Sequence, residues 1–222
     1  MKRVSSHPSV WFQALPWVVL ALLLSLTYAI FFELPYAGFN FNPTDGEVMI
    51  VSVSTDAGAE LNAGDRLVQV GAVSFEDYRA NYRLTLFEKV QPGQVVPLIV
   101  ERGGQRLTIP WIFPGRTSEE LWGERFPSDW FLAYFFWLAG TIAFFSLRPR
   151  DNRYYLFIAF NYLTAIWLEA GGRLSTWHYG VSVYLLHSAV WLRVPVYLHL
   201  HWELPQSFGR LPAWLKWGLY LS

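Results

Sequence analysis

The sequence predicts a membrane α-helical bundle of about five spans, the last one incomplete, with a small α+β domain inserted after the first span. The chain of 222 residues is 53% hydrophobic and only 15% charged, whereas soluble domains average about 25% charged residues. The charged residues cluster in residues 34–115 and in short links, so long uncharged stretches remain on either side. Basic and acidic residues number 17 each, which gives no sign of a nucleic-acid partner. The absence of cysteine excludes disulfides and thiolate zinc sites.

The N-terminal stretch has the features of a membrane anchor. Residues 1–9 contain Lys2 and Arg3 and are expected to form a short cytoplasmic lead. Residues 10–32 are apolar over a length that suits a hydrocarbon core of about 30 Å. A cleaved signal peptide is the alternative, but it would have a shorter apolar core and end in small residues, whereas this stretch ends in Tyr-Ala-Ile-Phe-Phe. We therefore expect transmembrane helix 1 at residues 10–32.

Residues 34–115 contain strand and turn patterns. Alternating apolar residues predict a strand at 47–53, and a second strand is expected at 95–102, followed by a hairpin turn at Gly103-Gly104. Ser74 begins a capping-box pattern, Ser-Phe-Glu-Asp. The apolar stripe that follows has helical spacing and predicts one amphipathic helix over residues 74–90. Its members are Phe75, Tyr78, Tyr82, Leu86 and Val90.

The second half of the chain alternates apolar stretches with short polar links. Residues 116–128 are expected to be a juxtamembrane link. Further transmembrane helices are predicted at residues 129–147, 154–170, 180–202 and 211–222. The last has about half the length that a span needs. We therefore expect a fragment whose fifth span continues past residue 222.

The distribution of basic residues predicts the orientation. The short links on one side of the membrane carry most of them: Lys2, Arg3, Arg148, Arg150, Arg153, Arg210 and Lys216. The short loop on the other side carries only Arg173. By the positive-inside rule the N-terminus is cytoplasmic and residues 34–127 are extracytoplasmic. The sequence thus predicts a multi-pass protein of a cytoplasmic membrane, with the lipid bilayer as one partner.

The inserted domain resembles a bacterial PDZ domain. The residues that carry the resemblance are Gly38-Phe39, the strand ending at residues 51–53, the Gly-Asp-Arg-Leu turn at 64–67 with its strand ending at Gly71, and the turn and strand at 92–102. The resemblance implies a small, partly open β-barrel with a capping helix. It also implies a groove between a strand and that helix, where a peptide, a protein C-terminus or an exposed strand binds.

By this resemblance the peptide-binding residues are Gly38, Phe39, Asn40 and Phe41 in the loop and strand, with Tyr78 and Tyr82 on the helix. The first loop contains one glycine rather than a fuller glycine-rich run, which weakens the case for capture of a free C-terminus. The alternative interpretation is that the two phenylalanines belong to the core and the two tyrosines only pack the helix.

The order of a span, a PDZ-like domain and further apolar helices resembles the N-terminal input region of bacterial receptor histidine kinases, including quorum-sensing receptors. This resemblance implies a sensory module that binds a peptide or protein segment or regulates the helices. It also allows a homodimer, and it places a kinase output beyond residue 222. A non-enzymatic membrane scaffold or protease adaptor is the alternative.

Ionisable residues in the predicted spans are candidates for function because each is costly in a membrane. They are Glu169, His187, Arg193, His199 and His201. His199 and His201 are weak candidates for a metal site, since residues two apart on a helix point in different directions. An intramembrane zinc protease is the less favoured enzyme alternative, but its His-Glu-x-x-His pattern does not occur in the sequence. No catalytic residue and no cofactor are predicted.

Overall fold

The computed structural model describes residues 10–52, 61–126, 129–203, 217, 218 and 220. The chain divides into two compact units. Residues 29–128 and 172–183 form one, which we call the β unit; the remaining residues form the other, the helical unit. The cytoplasmic lead predicted at residues 1–9 lies outside the described residues, as does most of the predicted span at 211–222.

Six strands and seven α-helices are present in the described ranges. The strands are β1 Phe39–Phe41, β2 Val48–Val51, β3 Arg66–Val70, β4 Val73–Ser74, β5 Val95–Arg102 and β6 Gln105–Ile112. The helices are α1 Val10–Phe32, α2 Phe75–Ala80, α3 Ser118–Glu120, α4 Trp130–Ser146, α5 Asn152–Ala170, α6 Arg173–Thr176 and α7 Ser182–Glu203, with a π-helical turn at Leu121–Arg125.

The β unit contains two antiparallel sheets. Strands β1 and β2 pair with each other, and the second sheet has the order β4-β3-β5-β6. The β5–β6 hairpin turns at Gly103 and Gly104, both at positive φ, so that Arg102 pairs with Gln105; this confirms the predicted turn. Side chains alternate between buried and exposed along both hairpin strands. The inner face of this sheet forms much of the core, with Leu67, Leu98, Val100, Ile109 and Trp111 at most 2% exposed.

The Gly-Asp-Arg turn has a structural role. The Asp65 carboxylate is 1% exposed and accepts the backbone N–H of Asn62 at 2.8 Å and a bidentate pair of bonds from the Arg102 guanidinium at 2.6 Å each. Burial would raise the pKa of Asp65, but these hydrogen bonds and the charge of Arg102 bring its pKa below the ordinary value. The pair therefore joins the start of β3 to the end of β5 through charge-assisted bonds.

The helix predicted at residues 74–90 is shorter than expected. Ser74 is the N-cap of α2, and its hydroxyl accepts the backbone N–H of Asp77 at 3.0 Å, which confirms the predicted cap. The helix ends at Ala80, however. Phe87 and Lys89 lie at φ +58° and +60°, a left-handed conformation that a right-handed helix excludes. The prediction of one helix through Val90 is therefore wrong.

A buried arginine of the β unit forms hydrogen bonds with the backbone at the end of α1. Arg125 is 1% exposed and donates to the backbone carbonyls of Ile30 and Leu34, the latter at 3.1 Å. Its Nε atom donates to the carboxylate of Glu120, which is also buried. Because the last carbonyls of a helix have no partner within it, the guanidinium serves as a C-terminal cap for α1.

The helical unit is built around the contact between α4 and α5. Its core includes Leu23, Phe144, Ile158 and Tyr162. Gly140 permits close packing, since a Cβ atom at this position would lie 2.8 Å from Cε1 of Tyr162. The two helices therefore approach each other at a residue without a side chain.

The expected number of membrane spans is wrong. In the described ranges one helix is long and apolar enough to cross a membrane: Phe12–Phe32, 21 residues with a mean hydropathy of 2.2. α4 is apolar but has 17 residues, and at about 1.5 Å per residue it falls short of a core of about 30 Å. α5 and α7 are longer but carry interior polar residues such as Asn161 and Arg193. The five-span bundle and the multi-pass topology are thus replaced by one candidate span, at the N-terminus.

Candidate functional site

The loop before β1 is shaped by one glycine. Gly38 is buried and lies at φ +78°, which favours a residue without Cβ. Its carbonyl accepts the N–H of Ser52 at 2.8 Å. The preceding carbonyl, of Ala37, accepts the indole Nε1–H of Trp111 at 2.8 Å. The loop is therefore held on both sides, by β2 and by the core.

The two phenylalanines of β1 face inward, and Asn40 between them is half-buried. Phe39 and Phe41 are each 2% exposed. Phe39 packs edge-on against Trp111, with ring centroids 5.5 Å apart, and Phe41 packs edge-on against Phe75 at 5.9 Å. Both phenylalanines are thus part of the core. Phe41 also contributes a ring to the surface described next.

The tyrosines lie on the helix side. Tyr78 in α2 is fully buried, and its hydroxyl donates to the backbone carbonyl of Thr176. Burial raises the pKa of Tyr78, so the phenol stays protonated as a donor. Tyr82 lies beyond the end of α2 and is 41% exposed. We call the surface between Phe41 of β1 and these two tyrosines the β1–α2 groove.

A segment from further along the chain occupies this groove. Residues 172–179, which include α6, belong to the β unit, and we call them the groove segment. Trp177 is 7% exposed and meets Phe41 edge-on, with ring centroids 5.3 Å apart and an interplanar angle of 86°. It also lies 6.2 Å from the ring of Phe87. Such aromatic pairs contribute about 0.5–1.5 kcal/mol each beyond the area they bury.

The next residue of the groove segment covers the helix side. The ring of His178 stacks on Tyr78, with centroids 4.0 Å apart and planes 15° from parallel, and the ring of Tyr82 meets it edge-on at 5.3 Å. Its Nδ1 atom lies 3.1 Å from the carbonyl oxygen of Leu84. Because a carbonyl only accepts, Nδ1 carries the proton in this arrangement. His178 lies at φ +50°, an uncommon and strained conformation for a non-glycine residue.

The structure therefore brings Phe41, Tyr78 and Tyr82 together around Trp177 and His178. The sequence predicted a plain short loop at residues 171–179 and missed the groove segment. The available signal was a cluster of large side chains between glycines at 171–172 and 180, namely Leu174, Trp177, His178 and Tyr179.

A cavity lies beside the groove. Its volume is about 490 Å³. Aromatic rings line it, and charged side chains also contribute. The rings are those of Tyr36, Phe87, Phe113, Trp177 and Tyr179. The lining of the cavity includes Phe87 and Lys89, two residues at positive φ. Backbone held in sparsely populated conformations is frequent at binding sites.

The two weak metal candidates do not form a site in the described residues. His199 is buried, with Nδ1 3.1 Å from the Tyr220 hydroxyl and Nε2 3.9 Å from a Glu203 carboxylate oxygen. His201 is exposed and contacts the carbonyl oxygen of Tyr197. The described ranges contain no group of three side chains able to hold a metal ion. The structure thus places the two imidazoles in separate surroundings.

The remaining ionisable candidates belong to the helical unit. Glu169 is buried, and one of its carboxyl oxygens accepts from the Thr27 hydroxyl at 2.5 Å. That hydroxyl also lies 2.6 Å from the Tyr134 hydroxyl. The Arg193 guanidinium lies over the Trp167 ring, 4.0 Å from its centroid. These contacts are those of helix packing, and the structure assigns no role to His187.

The groove segment is expected to loosen at acidic pH. Burial lowers the pKa of His178, while the carbonyl of Leu84 opposes this. The unfolded state, with a pKa near 6.5, then binds more protons than the folded state, so the free energy of unfolding falls as pH drops below that value. Amide hydrogen exchange in residues 173–179 should therefore be faster at about pH 5 than at about pH 7.5, after correction for the intrinsic rate.

The variant His178→Phe is the control for this prediction. It keeps a ring on Tyr78 but cannot be protonated, while Tyr78 stays neutral across this range. The corrected exchange rate of the variant should not depend on pH. An unchanged pH dependence in the variant would contradict the assignment to His178.

Comparison of the chain with known protein families, with characterised proteins and with solved structures finds no match. The site is therefore interpreted from its own residues.

Proposed function

We propose that this chain is the recognition module of a bacterial signal-transduction protein, anchored in the cytoplasmic membrane by its N-terminal helix. Its PDZ-like domain binds a peptide or an exposed protein segment at the β1–α2 groove. The observation that supports this is that the groove already accommodates a segment of protein, the aromatic residues Trp177 and His178, against Phe41, Tyr78 and Tyr82.

The side chains of the groove suit a site that binds a protein segment better than a site that catalyses a reaction. Its rings offer apolar contact, and the hydroxyl of Tyr78 and the carbonyl of Leu84 offer one donor and one acceptor to a backbone or a polar side chain. Peptide-recognition domains of this kind combine main-chain bonds with side-chain pockets. We therefore favour recognition over catalysis for these residues.

The proposed membrane arrangement rests on the candidate span found among the described residues. Lys2 and Arg3 precede the helix Phe12–Phe32, and basic residues close to the start of a span are retained in the cytoplasm. Residues 34–127 then face the outside, where an external peptide or an exposed segment of a neighbouring protein can reach the groove.

The test is peptide binding by the full chain in lipid nanodiscs. An array of peptides with free C-termini and of internal segments is offered to the wild type, to Gly38→Val and to Gly104→Val. Gly38 and Gly104 have nearly the same φ, +78° and +79°, so both substitutions strain the backbone by about 1–2 kcal/mol. Of the two, Gly38 directly precedes β1, the strand that carries Phe41 of the groove.

We expect Gly38→Val to reduce binding of the selected peptides by at least about tenfold, which is about 1.4 kcal/mol, while Gly104→Val binds like the wild type. An array in which no peptide distinguishes the two variants would exclude the groove as a recognition site.

A further inference from the structure

The groove segment is placed in the chain like a tethered ligand. The β unit is continuous from residue 29 to 128, and the segment returns to it only at residues 172–183, after α4 and α5. It is bounded by Gly172 and Gly180, exposed residues at φ +56° and +52° with open space around them. Glycine adopts positive φ without steric cost and has more backbone freedom than any other residue. The segment thus has a flexible residue type at both ends.

The contacts described above use its side chains and the backbone carbonyl of Thr176 rather than strand pairing. α6 is helical over Arg173–Thr176, so the segment does not extend the β1–β2 sheet. Trp177 inserts between Phe41 and Phe87, and His178 covers Tyr78. The recognised chemistry is therefore a carbonyl group, then a bulky aromatic ring, then a neutral imidazole that donates through Nδ1.

Holding the segment in the groove has a cost. His178 is kept at φ +50°, a conformation that is strained for a non-glycine residue. A separate peptide of the same chemistry is not tied to two fixed chain ends. It can adopt the same ring contacts without this strain, although it must compete with a segment carried on the same chain.

We propose that the β1–α2 groove is specific for segments with the aromatic–imidazole chemistry of residues 174–179, and that the chain's own copy occupies the groove until an external segment of that class displaces it. This inference rests on the proposed function, because it names the ligand class and the competitor for the same site. An external ligand binds only those chains in which the groove is open. Its apparent Kd is therefore the Kd for the open groove divided by the fraction of chains that are open.

The first test uses the peptide acetyl-Leu-Ser-Thr-Trp-His-Tyr-amide, which copies residues 174–179, and the full chain in nanodiscs. The variant Trp177→Ala removes the ring that fills the groove, and the indole of the peptide can then refill the space. We expect the peptide to bind Trp177→Ala at least about tenfold more tightly than the wild type. A peptide with alanine in place of its tryptophan should lose this gain.

A second variant keeps every contact residue, in case Trp177→Ala does not fold. Gly-Ser linkers of about six residues are inserted after Gly172 and after Gly180, which lowers the effective concentration of the segment. Peptide affinity should again rise, and added peptide should speed amide exchange in residues 173–179. Equal affinity in the wild type and both variants would overturn the proposal.

The outcomes separate the two proposals. If array peptides bind through Gly38 but the copied peptide gains nothing in either variant, the inference fails and the proposed function stands. If no peptide binds any form of the chain, both fail. A linker-lengthened chain that becomes dimeric without gaining peptide affinity would also overturn the inference, in favour of segment exchange between two copies.

Discussion

Replacement of Arg125 by methionine should lower the free energy of unfolding of the β unit by about 3–5 kcal/mol. The guanidinium donates to the carboxylate of Glu120 and to the carbonyls of Ile30 and Leu34, and both charged side chains are buried. Methionine matches the apolar stem but leaves a buried carboxylate and the end of α1 without their donor. Urea unfolding of the full chain in detergent micelles, followed by circular dichroism, measures the loss.

Two further variants test the mechanism of this effect. The exposed neighbour Arg116→Met should change stability by less than about 0.5 kcal/mol. The double variant Glu120→Gln/Arg125→Met removes the uncompensated charge and should recover a substantial part of the loss. If the double variant is as unstable as the single one, the ion pair is not the source of the effect.

Replacement of Trp111 by alanine should cost a similar amount, about 3–5 kcal/mol. The side chain is 1% exposed, packs edge-on against Phe39, and donates from Nε1 to the carbonyl of Ala37. The substitution therefore leaves a cavity in the core and a buried carbonyl without a donor, directly before Gly38. The same urea unfolding measurement reports the loss.

The variant Trp111→Phe separates packing from hydrogen bonding. It keeps most of the apolar volume and should cost about 1–3 kcal/mol, the penalty of an unsatisfied buried polar group. Since this carbonyl belongs to the loop before β1, Trp111→Phe should also weaken peptide binding at the groove. A loss as large as that of alanine would show that the hydrogen bond, and not the ring, dominates.

The local patterns of the β unit were sufficient to predict several of its elements. Residues 95–102 are rich in β-branched and other apolar residues and end at a two-glycine turn, and the observed β5 has the predicted bounds. Ser74 with Asp77 predicted the start of α2 for the same reason, since capping involves neighbours in the chain. The end of α2 was not predictable. The spacing of Leu86 and Val90 continues the helical stripe, and no local pattern shows that Phe87 and Lys89 turn left-handed.

The prediction of the spans failed because an apolar helix can be buried in protein as well as in lipid. α5 is rich in aromatic and aliphatic residues, yet its buried residues include Asn161, Thr164 and Glu169. These polar side chains bond within the unit, Asn161 to the carbonyl of Phe157 and Glu169 to Thr27. The composition of a helix shows that it has an apolar face, but it does not show whether protein or lipid covers that face.

The candidate site was predicted in part. The resemblance named Phe41, Tyr78 and Tyr82, and the structure places these three side chains around one space. It could not name the occupant, because Tyr78 and Thr176 are 98 residues apart in the chain. The ring of Trp177 contacts Phe41 of β1 and Phe87, and no pattern within residues 171–179 shows these contacts.

The discontinuity of the β unit also bears on how each new chain matures. Translation adds about 5–20 residues per second, and 65 residues separate Ile112, the end of β6, from Trp177, so roughly 3–13 s pass between them. During this interval residues 34–112 have been synthesised and Leu174 and Trp177 have not, so the groove segment cannot yet cover Phe41 and Tyr78. Each newly synthesised chain therefore passes through a stage in which the groove residues are present and its own groove segment is not.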